Sequence, residues 1–292
     1  MGQKDLTQKN LEDYPDVFAD IVNALLYEGE AVVSAENLQP APTETLYLGK
    51  DKRLRNQFHD VSKYVIKYGK VKIQYTLENE THTDNKMILR KAGYEGAIYR
   101  GQYEKKTDAI YPVISLVLHW GKRKWQSETG LRNFFCKKGF PDIVVKYIDN
   151  VRLYVYDMRH LSGDIRKRFT SDMRIIVDYL AEGEAYKPTK QQIRHIEAFL
   201  LLMRAISGDK RYEQMIANFE KQEEGEITMC GLLDKYEAMG IEKGIEKGIE
   251  KGEGFLAKLI ENLFRDKRME DARLVLTDVD ARKRLYQEYG IC

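Results

Sequence analysis

Asp60, Glu78 and Glu80 are the residues of this chain whose types and spacing could do chemistry. From Val71 to Glu78 the sequence alternates, with Val71, Ile73, Tyr75 and Leu77 on one face and Lys72, Gln74, Thr76 and Glu78 on the other. Period-two geometry puts Glu80 on the polar face with Glu78 if the strand continues. The run from Asp60 to Tyr68 is rich in β-branched and aromatic residues, and Gly69 separates the two segments. A chain folding back about Gly69 brings Asp60 opposite Glu78. Carboxylates that close require a cation between them or a raised pKa, and a divalent metal is the reading with chemical content. Other readings stay open at this point. Acidic residues at strand ends are common, a two-residue loop would pair Asp60 with Asn79, and Asp60 to Tyr68 could form a short helix.

Three further stretches accompany the hairpin in order: Leu77-Glu-Asn-Glu-Thr81, Asp84-Asn-Lys-Met-Ile-Leu-Arg90, and Gly93-Tyr-Glu-Gly-Ala-Ile-Tyr-Arg-Gly-Gln102. With Phe18–Asn23 before them and Tyr111–Gly121 and Phe169–Arg174 after, the set resembles the Rpn-type recombination-promoting nucleases. These are transposase-like proteins of the PD-(D/E)XK nuclease superfamily. The resemblance runs over about residues 11 to 180. It implies an α/β fold with a restriction-endonuclease-like core, a mixed sheet flanked by helices, and metal-dependent cleavage of DNA. It also implies Asp60 as the first metal-binding aspartate and Glu78 as the acidic residue of the half-motif, with Mg²⁺ as cofactor and Mn²⁺ able to substitute.

One departure matters. The position of the family's lysine is Glu80 here. Lys72 lies six residues from Glu78, roughly 20 Å along a strand, and Lys86 is closer only in sequence. Three carboxylates without a lysine imply strong metal dependence, because no cation in the motif offsets their repulsion. Mg²⁺ keeps several waters and needs only one or two carboxylates from the protein, so Asp60 and Glu78 would suffice as ligands. Glu80 would orient the attacking water, take its proton, or help hold a second ion. Asp20, on an amphipathic helix from Tyr14 to Tyr27, is a supporting candidate because with Asn23, three residues on, it could point from one helix face toward the site. Gln102, on the helix expected from about 91 to 103, is another because the resemblance implies a polar helix residue there that touches the site.

The chain has 292 residues, 43% hydrophobic and 32% charged, with a formal net charge of +2. That is ordinary globular composition. Near-neutral charge does not exclude a basic face, and local clusters supply one: Lys52, Arg53 and Arg55 lead into Asp60, and Lys122, Arg123 and Lys124 follow the apolar run ending at Trp120. Both clusters are candidate DNA-phosphate contacts. No apolar run reaches the ~18 residues of a membrane span, the first residues do not read as a signal peptide, and three scattered cysteines make no disulfide framework. A cytoplasmic location is the expectation. No GxxxxGK[ST] loop calls for ATP, and His59, His82 and His119 lack HExxH spacing or a triad order, so they read as structural.

The organisation that must position these residues follows. Residues 1–180 form the nuclease-like domain, with Val113–Leu118 as a doubly covered central strand and Val151–Asp157 as another strand. Residues 181–238 read as a helical region, and 255–292 as a final helical segment. Between them, 239–254 repeats Gly-Ile-Glu-Lys, either as a linker or as a helix whose Ile and Gly stripes could pair two copies. DNA is the expected partner, with a homo-oligomer through the C-terminal helices as a further expectation. Two rival functions stand beside the nuclease: a DNA-binding accessory protein whose site has decayed, and an oligomeric interaction protein.

Overall fold

The computed structural model describes residues 3–48, 54–105, 110–219 and 227–291. Lys52 and Arg53 lie outside them. The chain divides into two compact units, Met1–Cys230 and Gly231–Cys292.

The first unit opens with helices α1 (Gln3–Glu12) and α2 (Pro15–Leu26) and strands β1 (Leu38–Pro40), β2 (Glu44–Leu48) and β3 (Leu54–Phe58). The central elements are β4 (Val61–Lys67), β5 (Lys70–Glu80), α3 (Met87–Glu104) and β6 (Val113–His119). Next come α4 (Leu131–Lys137), α5 (Asp142–Val145), β7 (Tyr154–Asp157), α6 (Gly163–Arg166), α7 (Met173–Glu182), α8 (Ile196–Ser207) and α9 (Arg211–Phe219). Five strands form one sheet in the order β1-β4-β5-β6-β7, and β2 and β3 pair as a separate hairpin. The β1–β4 and β4–β5 pairs are antiparallel, whereas β5–β6 and β6–β7 are parallel. The α/β architecture with a mixed, helix-flanked sheet is therefore as the sequence suggested.

The register at the hairpin depends on two compensating features. Tyr68 and Gly69 form its tip with φ of 55° and 68°, the left-handed pair that a two-residue turn requires. A turn on Tyr68-Gly69, one position before the Gly69-Lys70 loop that would pair Asp60 with Asn79, would alone set Asp60 opposite Leu77. A β-bulge between Val65/Ile66 shifts the register, so Val65 pairs with Ile73 and Val61 with Leu77. The loop has two residues, yet the pairing is the one expected for a chain folding about Gly69.

The two faces of β5 bury different chemistry. Tyr75 and Leu77 are fully buried, and the Tyr75 hydroxyl meets that of Tyr27 at 2.6 Å, just beyond the end of α2. Pro15 opens α2 at its first position, and Val17, Phe18, Ile21, Val22, Ala24 and Leu25 are among its buried residues. On the other side Met87 and Ile88 of α3 pack with Val117, Phe134 and Leu153. The apolar run 113–118 is the expected central strand, since β6 lies between β5 and β7.

The second unit is helical: most of α10 (Met229–Arg265), then α11 (Met269–Thr277) and α12 (Val279–Glu288). Leu259, Leu263, Ala272, Val275 and Leu285 form its core. The Gly-Ile-Glu-Lys repeat is helix rather than linker, despite a cost of about 1 kcal/mol for each interior glycine. Ile241, Ile245 and Ile249 are exposed along it. No helix among the described residues is long and apolar enough to cross a membrane.

Candidate active site

The hairpin brings Asp60, Glu78 and Glu80 together at one end of the sheet. Asp60 sits just before β4, where its backbone N–H donates to Leu77 O at 3.2 Å. The Asn79 N–H donates to Asp60 Oδ2 at 2.5 Å, which fixes the carboxylate against the edge of β5. Glu78 is buried, and its Oε1 lies 2.6 Å from His59 Nδ1. Glu80, two residues on, is half-buried, and Arg90 from the first turn of α3 donates to its Oε1 at 2.8 Å.

Burial pushes the Glu78 carboxyl above its usual range, opposed by its hydrogen bond to His59 and reinforced by the charge of Asp60. Burial raises Glu80 too, against the pull of Arg90. Asp60 raises both neighbours, which is the mutual repulsion expected of carboxylates held close.

The expectation that nothing offsets this repulsion is corrected by the structure. Lys9 of α1 reaches Asp60 Oδ1 at 2.6 Å. Arg90 lies 2.8 Å from Glu80, 3.1 Å from Asp84 and 3.8 Å from Glu78. Lys72 is exposed at the bulge, and Lys86 is exposed where α3 begins. The cations of the site thus come from two helices rather than from the strand.

Helix α1 adds a fourth carboxylate. Glu12 is fully buried, and burial pushes its pKa up to about 8. Asn79 Nδ2 donates to Glu12 Oε2 at 2.6 Å, while Glu12 Oε1 is buried without a partner. Asn79 also accepts from Trp120 Nε1 at 2.6 Å, so one side chain ties α1, β5 and the end of β6 to the backbone contact at Asp60.

Two supporting candidates belong elsewhere. Gln102 is pinned to the backbone at the start of β6, donating to Tyr111 O at 3.1 Å and accepting from Tyr111 N at 3.0 Å. It lies twelve residues beyond Arg90 on α3, about 18 Å along the axis, so it reaches the opposite end of the strands. Asp20 is buried as the acceptor for the backbone N–H and hydroxyl groups of both Thr170 and Ser171, at 2.7–3.1 Å. It ties α2 to the segment leading into α7 and does not touch the carboxylate cluster. Spacing for Asp20 and the resemblance for Gln102 pointed to a helix, but neither fixed which neighbour the side chain would meet.

Beyond the cluster, the basic run lines an open cleft of about 680 Å³. Thr81 follows β5, Gly121 to Lys124 follow β6, and Arg159 follows β7, so the cleft lies past the carboxyl ends of all three parallel strands. That is where open α/β sheets bind ligands. Of the described residues lining it, none is Asp or Glu. Arg55 falls on β3 opposite Tyr47.

Lys9, Glu12, Asn79 and Arg90 were not singled out by the sequence, and His59 was read as structural although it meets Glu78. Asn79 and Arg90 fall inside the stretches that carry the family resemblance. For Lys9 and Glu12, on a helix whose apolar residues are only Leu6 and Leu11, one sequence carries no signal.

The donor set is all oxygen, which suits a hard divalent ion, and the orphaned Glu12 Oε1 fits a polar ligand nearby. Asp60 and Glu78 are the residues that would hold such an ion. Among the described residues no group of three or more His, Cys, Asp or Glu side chains is arranged to hold a metal. Because Lys9 is paired with Asp60 Oδ1, an ion there would compete with Lys9.

A family model described as "Putative transposase, YhgA-like" matches residues 30–223, more than half of the chain. No curated protein matches, and no solved structure does. Lys9 and Glu12 precede the matched span.

Proposed function

Since the chain belongs to the YhgA-like transposase family, which associates it with mobile elements, we propose that it is a Mg²⁺-dependent DNA endonuclease working through Asp60, Glu78 and Glu80. The observation that carries this reading is the hairpin register. It sets Asp60 beside Glu78, with Glu80 on the same face, and the charge of Asp60 raises both glutamates.

When bound, Mg²⁺ would polarise a phosphoryl oxygen and acidify a water. The chain's own residues do the rest. Asp60 and Glu78 would hold the ion, the first aimed by the Asn79 N–H and the second braced by His59. Glu80 is half-buried with a raised pKa, which suits it to accept the proton of the attacking water. Arg90, beside Glu80 at the mouth of the cluster, would meet the charge on the phosphate. Lys122, Arg123 and Lys124 would neutralise neighbouring phosphates.

A second reading has a specific observation behind it. Lys9 and Arg90 already neutralise the carboxylates, and such a closed network suits a DNA-binding accessory protein whose site has decayed. Supercoiled plasmid separates the two. The nuclease reading expects nicking by the full chain with Mg²⁺ or Mn²⁺, abolished by EDTA and by Asp60→Asn. DNA retarded in a gel but uncut with either metal would leave the accessory reading.

A further inference from the structure

His119 was read from sequence as structural, yet its surroundings form a site. It ends β6, and its Nδ1 lies 2.6 Å from Oδ1 of Asp157, the last residue of the adjacent parallel strand β7. Asp157 Oδ1 also accepts from Trp125 N at 2.9 Å, and the Trp125 ring stands edge-on to the imidazole at 5.4 Å. The ring is thus held on two sides. With a carboxylate on Nδ1, that nitrogen carries the hydrogen and Nε2 points the other way.

What Nε2 faces is kept clear by a glycine. A Cβ on Gly121 would lie 2.6 Å from Nε2 and 2.7 Å from Thr81 O, closer than side chains pack. Gly121 lines the cleft, as does His119 itself. Lys122, Arg123, Lys124 and Arg159 give this space a positive wall without an acidic residue among those described, and Arg159 Nε is buried with no partner. A clamped imidazole, an unspent guanidinium nitrogen and an acid-free lining are the features of a site for a phosphate group.

We propose that this cleft is the subsite for a phosphate of the nucleic-acid strand flanking the attacked bond, with His119, oriented by Asp157, as a binding residue on its floor and Arg159 at its wall. The inference deepens the nuclease reading and rests on it for the direction of the strand. A strand rather than a lone ion is favoured by the size of the cleft and by its continuity with the carboxylate cluster. Thr81, which lines it, directly follows Glu80, and Trp120 N donates to Glu80 O at 2.7 Å. With Nδ1–H committed to Asp157, Nε2 meets a phosphate oxygen only as an N–H donor, so the imidazole binds in its doubly protonated form.

The chain has five histidines, few enough for ¹⁵N-histidine NMR on the full protein in EDTA, with His119 assigned through His119→Asn. The probes are a single-stranded thymidine octanucleotide, thymidine 5′-monophosphate and inorganic phosphate, each also followed by anisotropy or competition. The expected result is movement of the His119 Nε2 resonance by the octanucleotide, and a loss of affinity of about tenfold in Arg159→Gln, the scale of one charge-assisted hydrogen bond. Octanucleotide binding that leaves His119 unmoved would overturn the inference while the nuclease reading survives. Movement with phosphate or the monophosphate but not with the octanucleotide would overturn the strand assignment in favour of a small-phosphate site. Binding of none of the three would also overturn it, and the plasmid assay decides the nuclease reading separately. Should His119→Asn fail to fold, Asp157→Asn assigns the resonance through its altered shift.

Discussion

The carboxylate cluster and the basic cleft lie side by side past the same strand ends, yet they manage charge in opposite ways. At the cluster every acid named is buried or half-buried and has an internal partner: Lys9 for Asp60, His59 for Glu78, Arg90 for Glu80 and Asn79 for Glu12. In the cleft Lys122, Arg123 and Lys124 are exposed, with no acid in the lining described. The first region is preorganised and internally neutralised, so a ligand there must displace something. The second presents unscreened charge to whatever arrives. On the proposed reading, a polyanion entering through the cleft and cut at the cluster would use both properties.

The sharpest challenge to this contrast is an acid outside both regions. Asp20 serves four donors, so Asp20→Ala should cost about 3 kcal/mol in urea denaturation, with cleavage per folded molecule unchanged. A selective loss of cleavage would return Asp20 to the site. Arg90→Ala removes the partner of Glu80 and Asp84. Its side chain is partly exposed, so the expected loss is about 2 kcal/mol, below the cost of breaking a fully buried pair.

Glu12 gives a pH test. Its carboxyl is raised from the usual 4.5 to about 8, so the folded chain binds more protons than the unfolded one between those values. Stability attributable to Glu12 is therefore present at low pH and lost as pH rises toward 8, by at most about 1.4 kcal/mol per pH unit. Denaturation of wild type and Glu12→Gln in EDTA across this range should show a steeper fall in the former, because Glu78 and Glu80 are raised in both. Smallest of all, Lys124→Ala should lower the salt dependence of DNA binding by about one unit of log–log slope, leaving stability unchanged.

What was legible in the sequence follows from period and punctuation. The alternation of Val71–Glu78 and the position of Gly69 gave the register, although the turn and bulge that produce it cancel in a way no pattern displays. The apolar run 113–118 gave the central strand. Helix α1 was missed because Gln8 and Glu12 are buried on a helix with almost no apolar stripe. Lys9 and Arg90 could not be assigned because contact between a helix and a strand end is set by tertiary packing. His119 was set aside because its partner, Asp157, lies thirty-eight residues away and meets it only across parallel strands.

The most direct test of the contrast sets two variants side by side, Glu78→Gln and the triple change Lys122→Ala, Arg123→Ala, Lys124→Ala, each assayed for plasmid nicking with Mg²⁺ and for gel retardation. The expected result is that Glu78→Gln binds plasmid and does not cut it. The triple variant should bind weakly and recover its cutting when salt is lowered. Cutting by Glu78→Gln at the wild-type rate would contradict the assignment of chemistry to the hairpin end.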